Sequence, residues 1–147
     1  MDFEIVTDSS CNLKEEMIDE FGLHILPLPF MVDGQQRQSY LKGRKTDLQE
    51  FYTMMREGKV ITTSLPNLAE SESLIRRLLE AGKDVLYLGF SSGLSGTYEA
   101  ISLLCNQLAG EFPERKVHCV DTLAASGGEG LLVGHAVQRA RAGASID

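Results

Sequence analysis

In the stretch LGFSSGLSGTYEA, Leu88 to Ala100, four hydroxyls (Ser91, Ser92, Ser95 and Thr97) are set around three glycines. Hydroxyls donate to anions, and a residue without Cβ lets backbone N–H groups approach a ligand closely. An apolar run precedes the stretch and a helical pattern follows it. The turn therefore belongs at a helix N-terminus, where unpaired N–H groups carry a partial positive charge. Together these features describe a seat for a carboxylate or a phosphate. The plain structural alternative is that Ser95 caps the helix and the glycines only permit tight packing.

Other chemistries fit parts of the same string. No lysine follows the glycines, so it is not a phosphate-binding loop of the Walker type, and GxGxxG is absent. Gly89, Ser91 and Gly93 do match GxSxG, the strand–turn–helix signature of a serine nucleophile. Asp121 followed by His135 has the hydrolase order, with His118 as another base. Against this, Leu94-Ser95-Gly96 separates the serine from its helix, and no HGGG-like oxyanion loop lies upstream. TTSLP, Thr62 to Pro66, offers further hydroxyl donors, or a capped turn. TDSS, Thr7 to Ser10, places Asp8 as an acid, a metal ligand, a phosphoryl acceptor or an Asx-turn. The three histidines, His24, His118 and His135, show no metal-ligand spacing, so no metal site is expected.

These motifs need elements to carry them. Phe3 to Thr7 reads as a strand. Asn12 should cap a helix, with Glu15 reaching back, whose apolar face is Leu13, Met17, Ile18 and Phe21, ending at Gly22. LHILPLPFMVDG reads as a strand broken by Pro27 and Pro29, and so an edge strand or one only partly paired. QQRQSYLKGRK has no clear assignment. Thr46 should open a second helix, with Leu48, Phe51, Tyr52 and Met55 packed as core. VITTSLPN is extended, and Asn67 caps a third helix carrying Ile75, Leu78 and Leu79. DVLYLGF is an unbroken apolar run, as a parallel strand covered on both faces requires. The next helix should bury Leu94, Tyr98, Ile101, Cys105 and Leu108. KVHCVD is a last strand, and the final helix holds Leu131, Leu132, Ala136 and Val137. Alternation of this kind predicts an α/β fold, a parallel β-sheet flanked by helices. Ligands of such folds sit at the carboxyl ends of strands, which is where the small polar motifs fall.

The chain has 147 residues, 43% of them hydrophobic, enough for one domain with its own core. A net charge of −7 argues against binding nucleic acid or anionic lipid surfaces. The N-terminus lacks a signal-peptide pattern, and ILPLPFMV is too short to span a membrane. Three cysteines, Cys11, Cys105 and Cys119, with no CxxC pair, suit a reducing cytoplasm.

Taken in order, TDSS, ILPL, TTSLP, SSGLSGTY and VDTLAASGGEG resemble the DegV family of bacterial fatty-acid-binding proteins, over Phe3 to about Gly143. The resemblance implies a long-chain fatty acid such as palmitate as ligand, with no cofactor and no catalysis. Its carboxylate would be held at strand ends by Thr63, followed by Ser64, and by Ser92, with Ser91 and Ser95 as neighbours. Ile61, Leu65, Phe90 and Leu94 are candidates for the tail's lining. The resemblance also implies a fatty acid kinase as partner. Family members are about twice this length. Residues 1–147 are accordingly expected to be a single α/β domain matching the family's N-terminal half, the second family domain being absent, and to pair as a homodimer in its absence. A serine hydrolase and a binding module for a non-lipid anion remain the alternatives.

Overall fold

The structure, a computed structural model, describes residues 2–44 and 47–147. Strand β1 (Phe3–Asp8) runs into a 3-10 turn (Ser9–Cys11), helix α1 (Glu15–Phe21) and strand β2 (His24–Leu26). Strands β3 (Pro29–Val32) and β4 (Gln35–Gln38), helix α2 (Leu48–Arg56) and strand β5 (Ile61–Thr63) follow. The chain continues through α3 (Leu68–Glu80), β6 (Asp84–Gly89), α4 (Thr97–Glu111), β7 (Val117–Asp121) and α5 (Gly127–Arg141).

The main sheet is parallel throughout, in the order β2-β1-β6-β7. Successive side chains of a strand leave on opposite faces, and β1 and β6 bury apolar residues on both. Phe3, Ile5 and Leu88 pack with Ile18 of α1 and with Val133 and Val137 of α5. Val6, Val85 and Tyr87 pack on the other face with Ile75 and Leu79 of α3 and Ile101, Cys105 and Leu108 of α4. Helices thus cover both faces, as the alternation of elements predicts.

The departures have local causes. ILPLPFMV is two strands. Pro27 ends β2, the outer strand of the main sheet, and Pro29 opens β3 in a second, antiparallel sheet of order β4-β3-β5. Proline at a strand's first residue gives up no ladder bond. QQRQ supplies β4, opposite β3. The extended VITTSLPN segment therefore joins this small sheet, through β5, and not the parallel one. Asn12 does not cap α1. It takes a left-handed conformation (φ 51°) that closes the 3-10 turn, and α1 starts at Glu15 without a side-chain cap. Thr46 lies outside the described residues, and Asp47 caps α2 by accepting the Glu50 N–H at 2.9 Å. Asn67 caps α3 as expected.

Parts of three apolar stripes expected in the core lie outside it, although Ile101, Cys105, Leu108 and Val137 are buried as expected. Leu48, Tyr52 and Met55 of α2 are each more than half exposed, because α2 turns Phe51 to the small sheet, against Phe30 at 5.2 Å between ring centres, and meets β4 through an exposed Glu50–Arg37 ion pair. Leu94 lies in the turn before α4 and is 70% exposed. In α5 the buried apolar side chains are Val133, Val137 and Ala140, so Leu131 and Leu132 fall on the outer face.

Candidate functional site at the strand ends

From β1 the chain moves outward to β2, and it later returns to lay β6 on β1's other side. Strand order reverses between β1 and β6, which opens a crevice at their carboxyl ends. Asp8 is the last residue of β1 and is fully buried. Its Oδ2 accepts the Phe90 N–H at 2.9 Å and the Tyr87 hydroxyl at 3.3 Å. Its Oδ1 accepts the Ser10 N–H at 3.0 Å and the Ser10 hydroxyl at 2.6 Å. Of the roles open to Asp8 in the sequence, the Asx-turn is the one formed, and it also pins the chain leaving β6. Burial, then the Asp8 charge, pushes the Tyr87 phenol well above its ordinary range.

Glu129, in the first turn of α5, is fully buried beside this hub. It hydrogen-bonds to the hydroxyls of Thr7 (3.1 Å) and Ser10, and Thr7 in turn donates to the Leu88 carbonyl at 2.8 Å. Burial, reinforced by the Asp8 charge, pushes the Glu129 carboxyl up to about 8. A buried acid costs least when neutral, so the proton stays on. Gly130 makes the placement feasible: a Cβ there would lie 2.8 Å from the Cys11 carbonyl oxygen.

The Ser91–Thr97 turn lies in front of this framework. Ser91 is buried, donates its N–H to the Ala124 carbonyl at 3.0 Å, and accepts the Gly93 N–H on its own Oγ at 3.2 Å. The amides of Leu94 and Ser95 return to the Ser91 carbonyl. Ser95 accepts the Thr97 N–H at 3.2 Å and bonds to the Thr97 hydroxyl, so it organises the start of α4. The expected cradle of bare amides is thus largely spent on the turn itself, and a ligand must be met by hydroxyls. Ser92 and Ser95 are half-buried, and of the two Ser95 is engaged with Thr97. Asp121, at the end of β7, accepts the Ser92 N–H at 3.2 Å and the Leu123 N–H at 3.0 Å. A hydrogen bond from the Ser92 hydroxyl, ahead of these amides, holds the Asp121 carboxyl below its ordinary range. Leu123 sits in the left-handed region (φ 50°) with its side chain 75% exposed.

Thr63 closes β5 opposite Phe30, with its side chain exposed, and Ser64 follows, its N–H donating to the Pro29 carbonyl at 3.3 Å. The turn after β5 reaches the Ser91–Thr97 turn: a Cβ on Gly96 would lie 3.9 Å from Leu65 Cδ2. Leu65 and Leu94 are exposed here, and Phe90 and Ile61 are half-buried. The two hydroxyl-bearing turns therefore share one border, rimmed by apolar side chains.

The triad reading does not assemble. His118 points to Asp147 (3.4 Å), His135 lines a groove between α5 and α1, and Asp121 is engaged by Ser92 and Leu123. Ser91 has no positive φ, unlike a strained nucleophile, and its Oγ faces its own turn. Among the described residues no cluster of His, Cys, Asp and Glu could hold a metal ion. No helix among them is long and apolar enough to cross a membrane.

Sequence reasoning missed Glu129, Ser10 and Tyr87. The one available signal was an acid within GGEG, flanked by glycines at the head of an otherwise apolar helix.

A parallel sheet covered by helices on both faces, with hydroxyl-rich turns at its carboxyl ends, defines an α/β domain whose polar turns lie where such folds place their ligands. The sequence model of the DegV family, whose description reads "Uncharacterised protein", matches residues 2–147, and the chain belongs to that family. The DegV domain-containing protein YteA of Lactococcus lactis is 33% identical over 146 residues, covering 99% of this chain and 50% of that protein. A DegV domain-containing protein of Clostridium perfringens is 34% identical over 145 residues, with 99% and 50% covered. Among solved structures, a fatty-acid-binding DegV family protein from Thermus thermophilus superposes with TM-score 0.83 at 33% identity, over 99% of this chain and 50% of that one. A stearic acid-binding protein from Eubacterium ventriosum shares the fold, with TM-score 0.87 at 22% identity over 98% and 49%. The chain spans about half the length of the relatives it matches.

Proposed function

We propose that this chain binds the carboxylate of a long-chain fatty acid at the border between the Thr63–Pro66 and Ser91–Thr97 segments, as a carrier without catalysis. The observation that carries the reading is the approach of those two turns, close enough that a Cβ on Gly96 would lie 3.9 Å from Leu65 Cδ2, with exposed Leu65 and Leu94 beside the hydroxyl-bearing segments. Thr63 and Ser92 donate to the ligand's oxygens, and Ser64, Ser91 and Ser95 shape the turns. The Ser92 hydroxyl turns from Asp121 to the ligand. Hydrogen bonds to an ionised acceptor are about twice as strong as neutral ones. The tail adds roughly 0.8 kcal/mol for each methylene it buries. Ile61, Leu65, Phe90 and Leu94 form one wall for it, and residues 1–147 act as the family's N-terminal domain. The fatty-acid-binding descriptions of the structural relatives from Thermus thermophilus and Thermotoga maritima, at 33% and 28% identity, support this reading. A carboxylate held at an exposed edge stays open to a kinase that phosphorylates it.

The test is denaturing extraction of the purified chain followed by mass spectrometry. Long-chain acids in stoichiometric amount are the expected result. An extract holding only nucleotides or sugar phosphates would replace the lipid with a non-lipid anion.

A further inference from the structure

The turns that leave β5, β6 and β7 carry no cation. No lysine or arginine lies between Lys59 and Arg76, between Lys83 and Arg115, or between Lys116 and Arg139. Lys59, Lys83 and Lys116 stand before those strands, at their amino ends, and are ion-paired there to Asp33, Glu4 and Asp147. Lys14 heads α1, on the opposite face of the sheet from α4. Arg37 of β4 is paired with Glu50, and Arg44 lines a hollow with Phe51 and Met54 of α2. An anion does stand at the site. Asp121 closes β7 beside Gly89 of β6, and its Oδ1 accepts the Ser92 N–H at 3.2 Å and the Leu123 N–H at 3.0 Å. Both amides converge on Oδ1, so an incoming head group meets Oδ2.

We propose that Asp121 is a specificity-determining residue of the head-group site, receiving the fatty acid with one proton shared between the two carboxyl groups. The inference rests on the fatty-acid reading above. An acid that accepts the Ser92 hydroxyl arrives beside a carboxylate already fixed to the Ser92 amide. Their separation is comparable with the roughly 8 Å over which physiological salt screens charge. Two carboxylates so placed, with no cation between them, do not both ionise freely, and the pair titrates as a unit. The bound pair keeps one negative charge, to which Ser92 and Thr63 donate. The neighbouring groups do not supply the missing countercharge. Asp8 and Glu129 are engaged with Ser10, the Tyr98 hydroxyl is spent on the Cys119 carbonyl, and Glu99 is a further acid, exposed in the first turn of α4. Binding therefore draws its proton from solvent, and affinity for the acid falls as pH rises. A primary alcohol of the same length needs no proton.

The experiment is equilibrium dialysis of the purified chain and of Asp121→Asn against dodecanoic acid and 1-dodecanol, between about pH 6 and 8, the window in which one bound proton is legible as a slope. Asparagine keeps the oxygen that holds the two amides and loses only the charge, and circular dichroism checks the fold. Glu129 titrates in the same window, and the alcohol carries that contribution, so the acid-to-alcohol affinity ratio is the reading. In the wild-type chain the ratio should fall about tenfold per pH unit, as uptake of one proton requires. In Asp121→Asn it should stay level, and at the alkaline end the variant should hold the acid more tightly than wild type. A wild-type ratio that ignores pH, or the same slope in both proteins, overturns the role of Asp121 and leaves the fatty-acid reading in place. A wild-type chain that takes up neither probe overturns both.

Discussion

The carboxyl groups of Asp8 and Glu129 share one hydroxyl, that of Ser10, across 119 residues of sequence between Ser10 and Glu129. Asp8 Oδ1, Ser10 Oγ and Glu129 Oε2 form a row of three oxygens. Two hydrogen bonds along that row need two protons, and Ser10 supplies one. The other belongs to Glu129, the acid whose pKa burial and the Asp8 charge raise. The row links the end of β1 to the start of α5, while the other oxygen of Asp8 holds the Tyr87 hydroxyl and the N–H of Phe90, just after β6.

A raised acid costs stability as pH climbs. Glu129 titrates near 4.5 when unfolded and near 8 when folded, so between those values the folded chain binds the extra proton. Its stabilising contribution is complete below pH 4.5, declines through that window, and is gone above about 8. Glu129→Gln keeps a donor for Ser10 and removes the titration. Denaturant melts of both proteins should show the wild type losing ground to the variant as pH rises through the window. A stability difference that stays constant with pH would refute the proton assignment.

Gly130 and Gly110 are both helical, yet alanine should act oppositely at the two. At Gly130 the new Cβ meets the Cys11 carbonyl, a backbone atom that cannot swing aside, so Gly130→Ala should destabilise by about 1–3 kcal/mol. At Gly110 nothing lies within 4 Å, and Gly110→Ala should stabilise by about 0.4–1 kcal/mol through a stiffer unfolded chain. Thermal melts of the two variants decide it by sign.

Ser92→Ala and Thr63→Ala each remove a hydroxyl from the proposed head-group site. A hydrogen bond to a charged group is worth about 1.5–3 kcal/mol, so each should weaken fatty-acid retention roughly tenfold to a hundredfold. The circular dichroism spectrum should not change. Lipid content equal to wild type in both variants would place the head group elsewhere.

A serine-directed fluorophosphonate should leave Ser91 unmodified. Its Oγ accepts the Gly93 N–H, and neither His118 nor His135 stands beside it. Intact mass after incubation reads the outcome, and a stoichiometric adduct on Ser91 would reinstate hydrolase chemistry.

The parallel sheet was legible because DVLYLGF is a nearly unbroken apolar run, as a doubly covered strand requires, and because strand and helix patterns alternate along the chain. The small antiparallel sheet was not, since PFMV, QQRQ and ITT are three or four residues long and carry no period. The stripe on α2 was read as core from its spacing alone. Spacing gives a helix its apolar face but not the partner that covers it. At the candidate site, Ser92 and Asp121 were both visible as motif residues. Their bond was not, because β6 and β7 meet only once the sheet forms. Glu129 was hidden for the same reason: nothing local shows that its partner lies at the other end of the chain.

Gly89 and Tyr87 sit on one strand with no room between them: a Cβ on Gly89 would come within 2.7–2.8 Å of the buried Tyr87 ring and hydroxyl. These two positions are a genetic pair. A methyl gained at 89 is viable only alongside a smaller ring at 87, and shrinking 87 deletes a donor that Asp8 uses. An engineer redesigning this pocket must alter all three sites in one step or leave them untouched.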